Sequence, residues 1–127
     1  MRRICVGALL LAVGCVHIRS VPIGSRSAPL APCEVRIEHV TTREAEQRYT
    51  EVGRICVSYT GATSTDQLER QDEARQQLTS EACTLGGDVV VPLGLCTLQS
   101  DLSRWGPAEG FEYHVYRDAH AVGAVAR

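Results

Sequence analysis

The stretch "CTLGGDVVVPLGLC", residues 83–96, joins a helix end to a buried strand and carries a cysteine at each end. Upstream of Gly86, Leu68, Ala74, Leu78, Ala82 and Leu85 recur within one stripe at about 100° per residue. That spacing predicts a helix over Asp66–Leu85, closed by glycine at its C-terminus. Ser64 and Gln67 stand at capping-box spacing, and Asp66 and Glu69 lie near the positive end of the helix dipole. A phosphate-cradling loop would place its glycines ahead of a helix, whereas here they follow one. Beyond them, "DVVVPLGLCTL" (88–98) is almost wholly apolar, as suits a strand covered on both faces or central in a small sheet. Pro92 removes one ladder donor, so a bend or bulge is expected there.

Working outward, "EVGRICVSYT" (51–60) alternates Ile55, Val57 and Tyr59 against Arg54, Cys56 and Ser58. "CEVRIEHV" (33–40) alternates Cys33, Val35, Ile37 and His39 against Glu34, Arg36 and Glu38, the period of a half-buried strand. Between them, "TTREAEQRY" opens with Thr41 and Glu44 at capping-box spacing and predicts one or two helical turns. After a polar loop holding Arg104, Trp105, Gly106 and Pro107, "FEYHVYR" (111–117) reads as a last strand, and residues 119–127 as a tail. These elements predict an α+β domain over residues 33–118: a small, mainly antiparallel sheet of about four strands with one long helix packed on one face.

The first fifteen residues have a different character. Arg2 and Arg3 precede an uncharged apolar run from Ile4 to Val13, about half the length that spans a bilayer. Small residues then lead to a cysteine in "LAVGC" (11–15), which resembles the lipobox of bacterial lipoproteins. The resemblance implies a signal peptide over residues 1–14 and a diacylglycerol-bearing Cys15 as the new N-terminus. It departs from the usual pattern in having Ala12 where leucine is common; secretory cleavage at the same bond, leaving a free thiol, is the competing reading. "VHIRSVPIGSRSAPLAP" (16–32) has linker composition, so residues 15–32 are expected to be a lipidated N-terminus and flexible tether of about 20–25 Å.

Cleavage before Cys15 leaves 113 residues, enough for one domain. All 13 basic residues are Arg, and 11 of them remain against 15 acidic side chains, giving about −4. A nucleic-acid partner would need a basic stripe instead. A core this small and poor in aromatics gains from covalent staples in an oxidising compartment. Cys33, Cys56, Cys83 and Cys96 form an even set with three possible connectivities, and none has the close spacing of a zinc site. Side-chain parity favours Cys33 with Cys83 at the helix end. It also favours Cys56 with Cys96 across neighbouring strands on the face away from the helix, unless a bulge at Pro92 reverses Cys96.

Residues 54–117, and "CTLGGDVVVPLGLC" above all, are similar to the envelope-stress sensor lipoproteins of the Rcs phosphorelay and to the small YbjQ-like domains. The Gly-Gly-Asp turn and the lack of a cysteine near the final strand depart from the sensor pattern. This resemblance implies a tethered periplasmic domain with two disulfides and no catalytic site. The residues themselves carry no G-x-S-x-G and no C-x-x-C. Asp118 and His120 fall in or beside the tail, and Glu44, Glu46, Glu69 and Glu73 read as solvated helix faces. His39 is expected near the core and His114 exposed on its strand.

The expectation is therefore a lipid-anchored, non-catalytic interaction or sensing module of the cell envelope, at the outer membrane and facing the periplasm, without cofactor or metal. Its membrane partner is reached through Cys15, and an envelope protein would touch Arg104, Trp105 and Tyr116. The alternative is a periplasmic metal- or small-ligand-binding domain built on His39, His114 and a free cysteine pair.

Overall fold

Helix α2 (Ser64–Thr84) ends in a Schellman turn. Gly87 N–H donates to Ala82 O at 2.9 Å, and Gly86 N–H donates to Cys83 O at 3.0 Å. Gly86 sits at φ +84°, a left-handed conformation that side chains disfavour, so this glycine sets the point at which the helix stops. The computed structural model describes residues 2–6, 14–24, 33–60, 64–98 and 108–118.

The remaining elements are strands β1 (Arg2–Val6), β2 (Gly14–Pro22), β3 (Arg36–Ile37), β4 (Thr50–Thr60), β5 (Val89–Leu98) and β6 (Ala108–Arg117), with helix α1 (Thr42–Arg48) between β3 and β4. They form one six-stranded sheet in the order β1-β2-β4-β6-β5-β3. Neighbours are antiparallel except β3, which runs parallel to β5. β4 and β5 both oppose β6, so they run in the same direction with β6 inserted between them and α2 as the crossover, a split β-α-β unit.

The sheet has helix on both faces. Val16, Ile18, Ile55, Val57, Val90 and Val115 pack beneath Ala74, Leu78 and Ala82 of α2. Val89, Val91 and Tyr116 pack on the opposite face against Ala45 of α1, with Val40 and Tyr49 at its border. The run Val89-Val90-Val91 is apolar at every position because its side chains alternate between two covered faces. Thr41 caps α1 by accepting from Glu44 N–H at 3.1 Å, as its spacing predicts.

Several expectations require correction. The sheet has six strands rather than about four, and a second helix covers the face thought to be open. Of the strand expected over 33–40, only Arg36–Ile37 pairs. Leu68, assigned to the buried stripe of α2, is 63% exposed; Arg70 and Glu81 occupy buried positions on the helix instead. The largest correction concerns the tether. Gly14–Pro22 is β2, paired with β4 from Cys15↔Thr60 to Pro22↔Gly53. Val16 and Ile18 are 1% and 2% exposed, so the alternation within "VHIRSV" is that of a half-buried strand. Residues 25–32 of the proposed linker and 119–127 of the tail lie outside the described residues.

Both favoured disulfides are present. Cys33–Cys83 ties the approach to β3 to the last turn of α2 (Cα–Cα 6.0 Å), and Cys56–Cys96 joins β4 to β5 (Cα–Cα 6.1 Å). The second pairing is reached by a different route from the one expected. Val89 and Val91 already lie on the face away from α2, and the register shift between Pro92 and Gly94 restores Cys96 to that face. The two strands are not neighbours: β6 lies between them. In a flat sheet such strands stand about 9.5 Å apart, so the 6.1 Å separation means that the sheet curls tightly around β6 here. Gly110 makes room for this, since a Cβ there would lie 2.6 Å from Val57 O and 3.2 Å from Cys56 Sγ.

The two bridges close loops of 50 and 40 residues, for which chain entropy alone gives about 4 kcal/mol each, and measured losses are commonly smaller. Replacing Cys56 and Cys96 together by alanine is expected to lower the unfolding free energy by about 2–4 kcal/mol in urea titrations. Gly110→Val, with the bridge intact, should cost about 1–3 kcal/mol through overpacking against β4.

Candidate functional site

Helix α2 lies over β2 and β4, leaving part of the same sheet face, towards β6, β5 and β3, less covered. The result is an open groove of about 250 Å³. Its floor is apolar, formed by Val57, Ala74, Leu78 and Tyr113, with Ile37 and Pro92 on the far wall. Its polar edge comes from His39 and from Gln71 and Arg75 of α2. Phe111 closes one end, 47% exposed, and pairs across the strands with Leu95, 70% exposed. Large apolar side chains left in contact with water beside a groove mark a surface suited to a ligand or partner.

The opposite face carries a buried polar cluster. Glu51 Oε1 accepts from Arg54 Nε at 3.1 Å and lies 3.1 Å from His114 Nδ1. The Tyr116 hydroxyl lies 3.4 Å from the same ring nitrogen. Burial raises the Tyr116 phenol to about 12, and the nearby carboxylates of Glu51 and Glu46 push in the same direction. His114 is only 5% exposed, and its Nε2 is sealed from solvent. A second network closes the end of the sheet. Arg36 donates to Asp118 Oδ2 at 2.8 Å and to Glu38 Oε1 at 3.0 Å, while the Tyr49 hydroxyl donates to Glu38 Oε2 at 2.8 Å. The Asp118 carboxylate, then the Tyr49 hydroxyl and Glu38, hold the Arg36 guanidinium well above its ordinary pKa. Asp118, expected beside a loose tail, is thereby fixed, and its N–H donates to Asp88 Oδ1 at 2.8 Å.

The structure redistributes the residues singled out in the sequence. Tyr116, assigned to a partner surface, is fully buried under α1 and cannot touch another molecule. Arg104 and Trp105 lie outside the described residues. The two histidines exchange roles: His39 is exposed at the groove, and His114 is buried. Cys33, Cys56, Cys83 and Cys96 are all bridged, which removes the sulfur ligands that the metal-binding alternative needs. Among the described residues no group of three or more His, Cys, Asp or Glu side chains converges on a point that could hold a metal ion. Cys15 lies in β2, opposite Thr60 of β4 and opposite Cys5 of β1. The groove is not legible in the sequence because its lining comes from five separate segments, around residues 37–39, 57, 71–78, 92 and 111–113, so no single motif marks it.

The chain matches no protein-family model and no curated protein. Among solved structures its fold is similar to the crystal structure of a Francisella virulence factor, FvfA, in its orthorhombic form. The TM-score is 0.53 with 13% identity, over 79% of this chain and 97% of that one. At that identity the likeness shows a common fold and nothing about activity.

The Tyr116 phenol gives the buried cluster a pH signature. An unfolded tyrosine releases its proton near pH 10, whereas Tyr116 holds it to about 12 in the fold. Between those values the unfolded state binds fewer protons. The stability from Tyr116 is therefore complete below pH 10 and is lost as the pH climbs to 12. In an ultraviolet titration of the four tyrosines, one phenol should ionise last and together with unfolding. Tyr116→Phe should remove that late step. Ionisation of all four near pH 10 with the fold intact would contradict the assignment.

Proposed function

We propose that this chain is a lipid-anchored, non-catalytic interaction or sensing module of the cell envelope, beginning at Cys15 and facing the periplasm from the outer membrane. The observation that carries this reading is the fate of the six cysteines. Four close two bridges within the domain, a pattern of oxidising compartments. The other two, Cys5 and Cys15, both fall in the leader-like segment ending in "LAVGC". Acyl chains contribute about 0.8 kcal/mol per buried methylene, and two or more on one cysteine hold a protein stably where one would not. Among the described residues no helix is long and apolar enough to cross a membrane.

Because β2 starts at the proposed anchor, the domain would sit directly against the bilayer instead of hanging from a tether. The groove edged by His39 and Arg75 and flanked by Phe111 and Leu95 is the surface offered to a partner. It also favours the second reading, a small-ligand-binding domain, because an apolar floor with a basic rim suits an amphipathic anion.

Intact mass of the detergent-extracted protein tests the first reading. A species starting at Cys15, carrying acyl chains and gaining four hydrogens on reduction of the two bridges, is expected. Cys15→Ser should abolish acylation and release the protein to the aqueous fraction. A chain that retains Met1 with a third bridge between Cys5 and Cys15, which stand opposite each other in register, would overturn it.

A further inference from the structure

We infer that loss of the leader opens the outer edge of β2 as a docking site for an extended, basic-apolar segment of another envelope protein. This rests on the anchored reading above, since only cleavage before Cys15 frees that edge. In the uncleaved chain the edge is filled: β1 lies antiparallel on β2 through five registered pairs, from Arg2↔Ile18 to Val6↔Gly14. Its backbone groups therefore already stand in a geometry that accepts a strand. Cutting between Gly14 and Cys15 removes β1 and leaves the outward N–H and C=O groups of residues 15–18 without those partners.

The strand itself stays in place. On its inner side β2 is paired with β4 along eight positions with no break in register. Val16 and Ile18 are buried under α2, and the Ser20 hydroxyl donates to Glu81 Oε2 of that helix at 3.0 Å. Natural edges are guarded by proline, charge or bulges. Here Pro22 falls at the far end and Arg19 just beyond the paired stretch, and Cys15–Ile18 itself carries none of these. At the other side of the sheet β3 covers only Val89 and Val90 of β5, and the rest of that strand is interrupted by Pro92 and its register shift, so β2 is the edge of unbroken register in the mature domain.

The occupant seen in the uncleaved chain describes the one that would replace it. It is extended, free of proline and places Ile4 opposite Val16. Its two arginines complement a mature chain of about −4, whereas a second copy of the domain would bring the same negative charge. Main-chain hydrogen bonds would supply affinity and alternate side chains specificity, as in β-strand addition. An anchor at Cys15 would hold this edge at the membrane surface, within reach of periplasmic segments of membrane proteins.

The test uses the acylated mature protein in detergent and a fluorescent peptide of residues 2–7 carrying Cys5→Ser. Saturable binding is expected. N-methylation of the peptide amides that face β2 should weaken it on the order of tenfold, the cost of about one or two hydrogen bonds. Methylation of the amides facing away should leave it unchanged. No binding, binding indifferent to which amides are methylated, or a mature protein that dimerises through β2 would overturn the inference. A native protein still carrying Met1 would sink the anchored reading itself. A protein that begins at Cys15 yet ignores the peptide would sink only the edge.

Discussion

Burial of Val16 and Ile18 under α2 is the contact on which the functional geometry depends. Each such side chain contributes about 1.5–3 kcal/mol when fully withdrawn from water. Together with the Ser20–Glu81 hydrogen bond they fasten β2 to the helix as well as to β4. A segment with the composition of a spacer becomes part of the sheet. The proposed attachment point then lies at the start of a strand, and an anchor there would give the domain a defined orientation relative to it.

The curl of the sheet around β6 is the second constraint. β4 and β5 approach closely enough for Cys56 and Cys96 to bridge over Gly110, and the bulge after Pro92 turns the second half of β5 to make this possible. Leu95 and Phe111 pair on the other face of that bent half, beside the groove. The same irregularity that closes a covalent staple on one side accompanies exposed apolar side chains on the other. The staple also locks the bend, so the groove is built on rigid elements, as recognition surfaces generally require.

Much of the fold was legible because it rests on local chemistry. The glycine pair at 86–87, the cap at Thr41, the alternation in β4 and β6 and the even cysteine set each announce themselves within a few residues. Parity led to the right disulfides through two displacements that cancel: Val89 and Val91 face away from α2, and the bulge reverses Cys96. Features set by distant contacts were not legible. Nothing near Tyr116 says that α1 folds back over it, so it read as a surface residue when it is fully buried. His39 and His114 exchanged places for the same reason. The strand in "VHIRSV" was hidden by its neighbours, a leader before it and a proline-rich run after it, although its period of two is plain once β4 is placed alongside.

Hydrogen exchange of the β2 amides in the mature, detergent-solubilised protein tests the central claim most directly. If β2 is an integral edge strand, about every second amide from residue 16 to residue 21, those directed at β4, should be protected as strongly as the amides of β4 itself, and the alternate ones should exchange quickly. Uniformly fast exchange over the whole stretch would show a free tether. It would remove both the fixed orientation at the membrane and the docking edge.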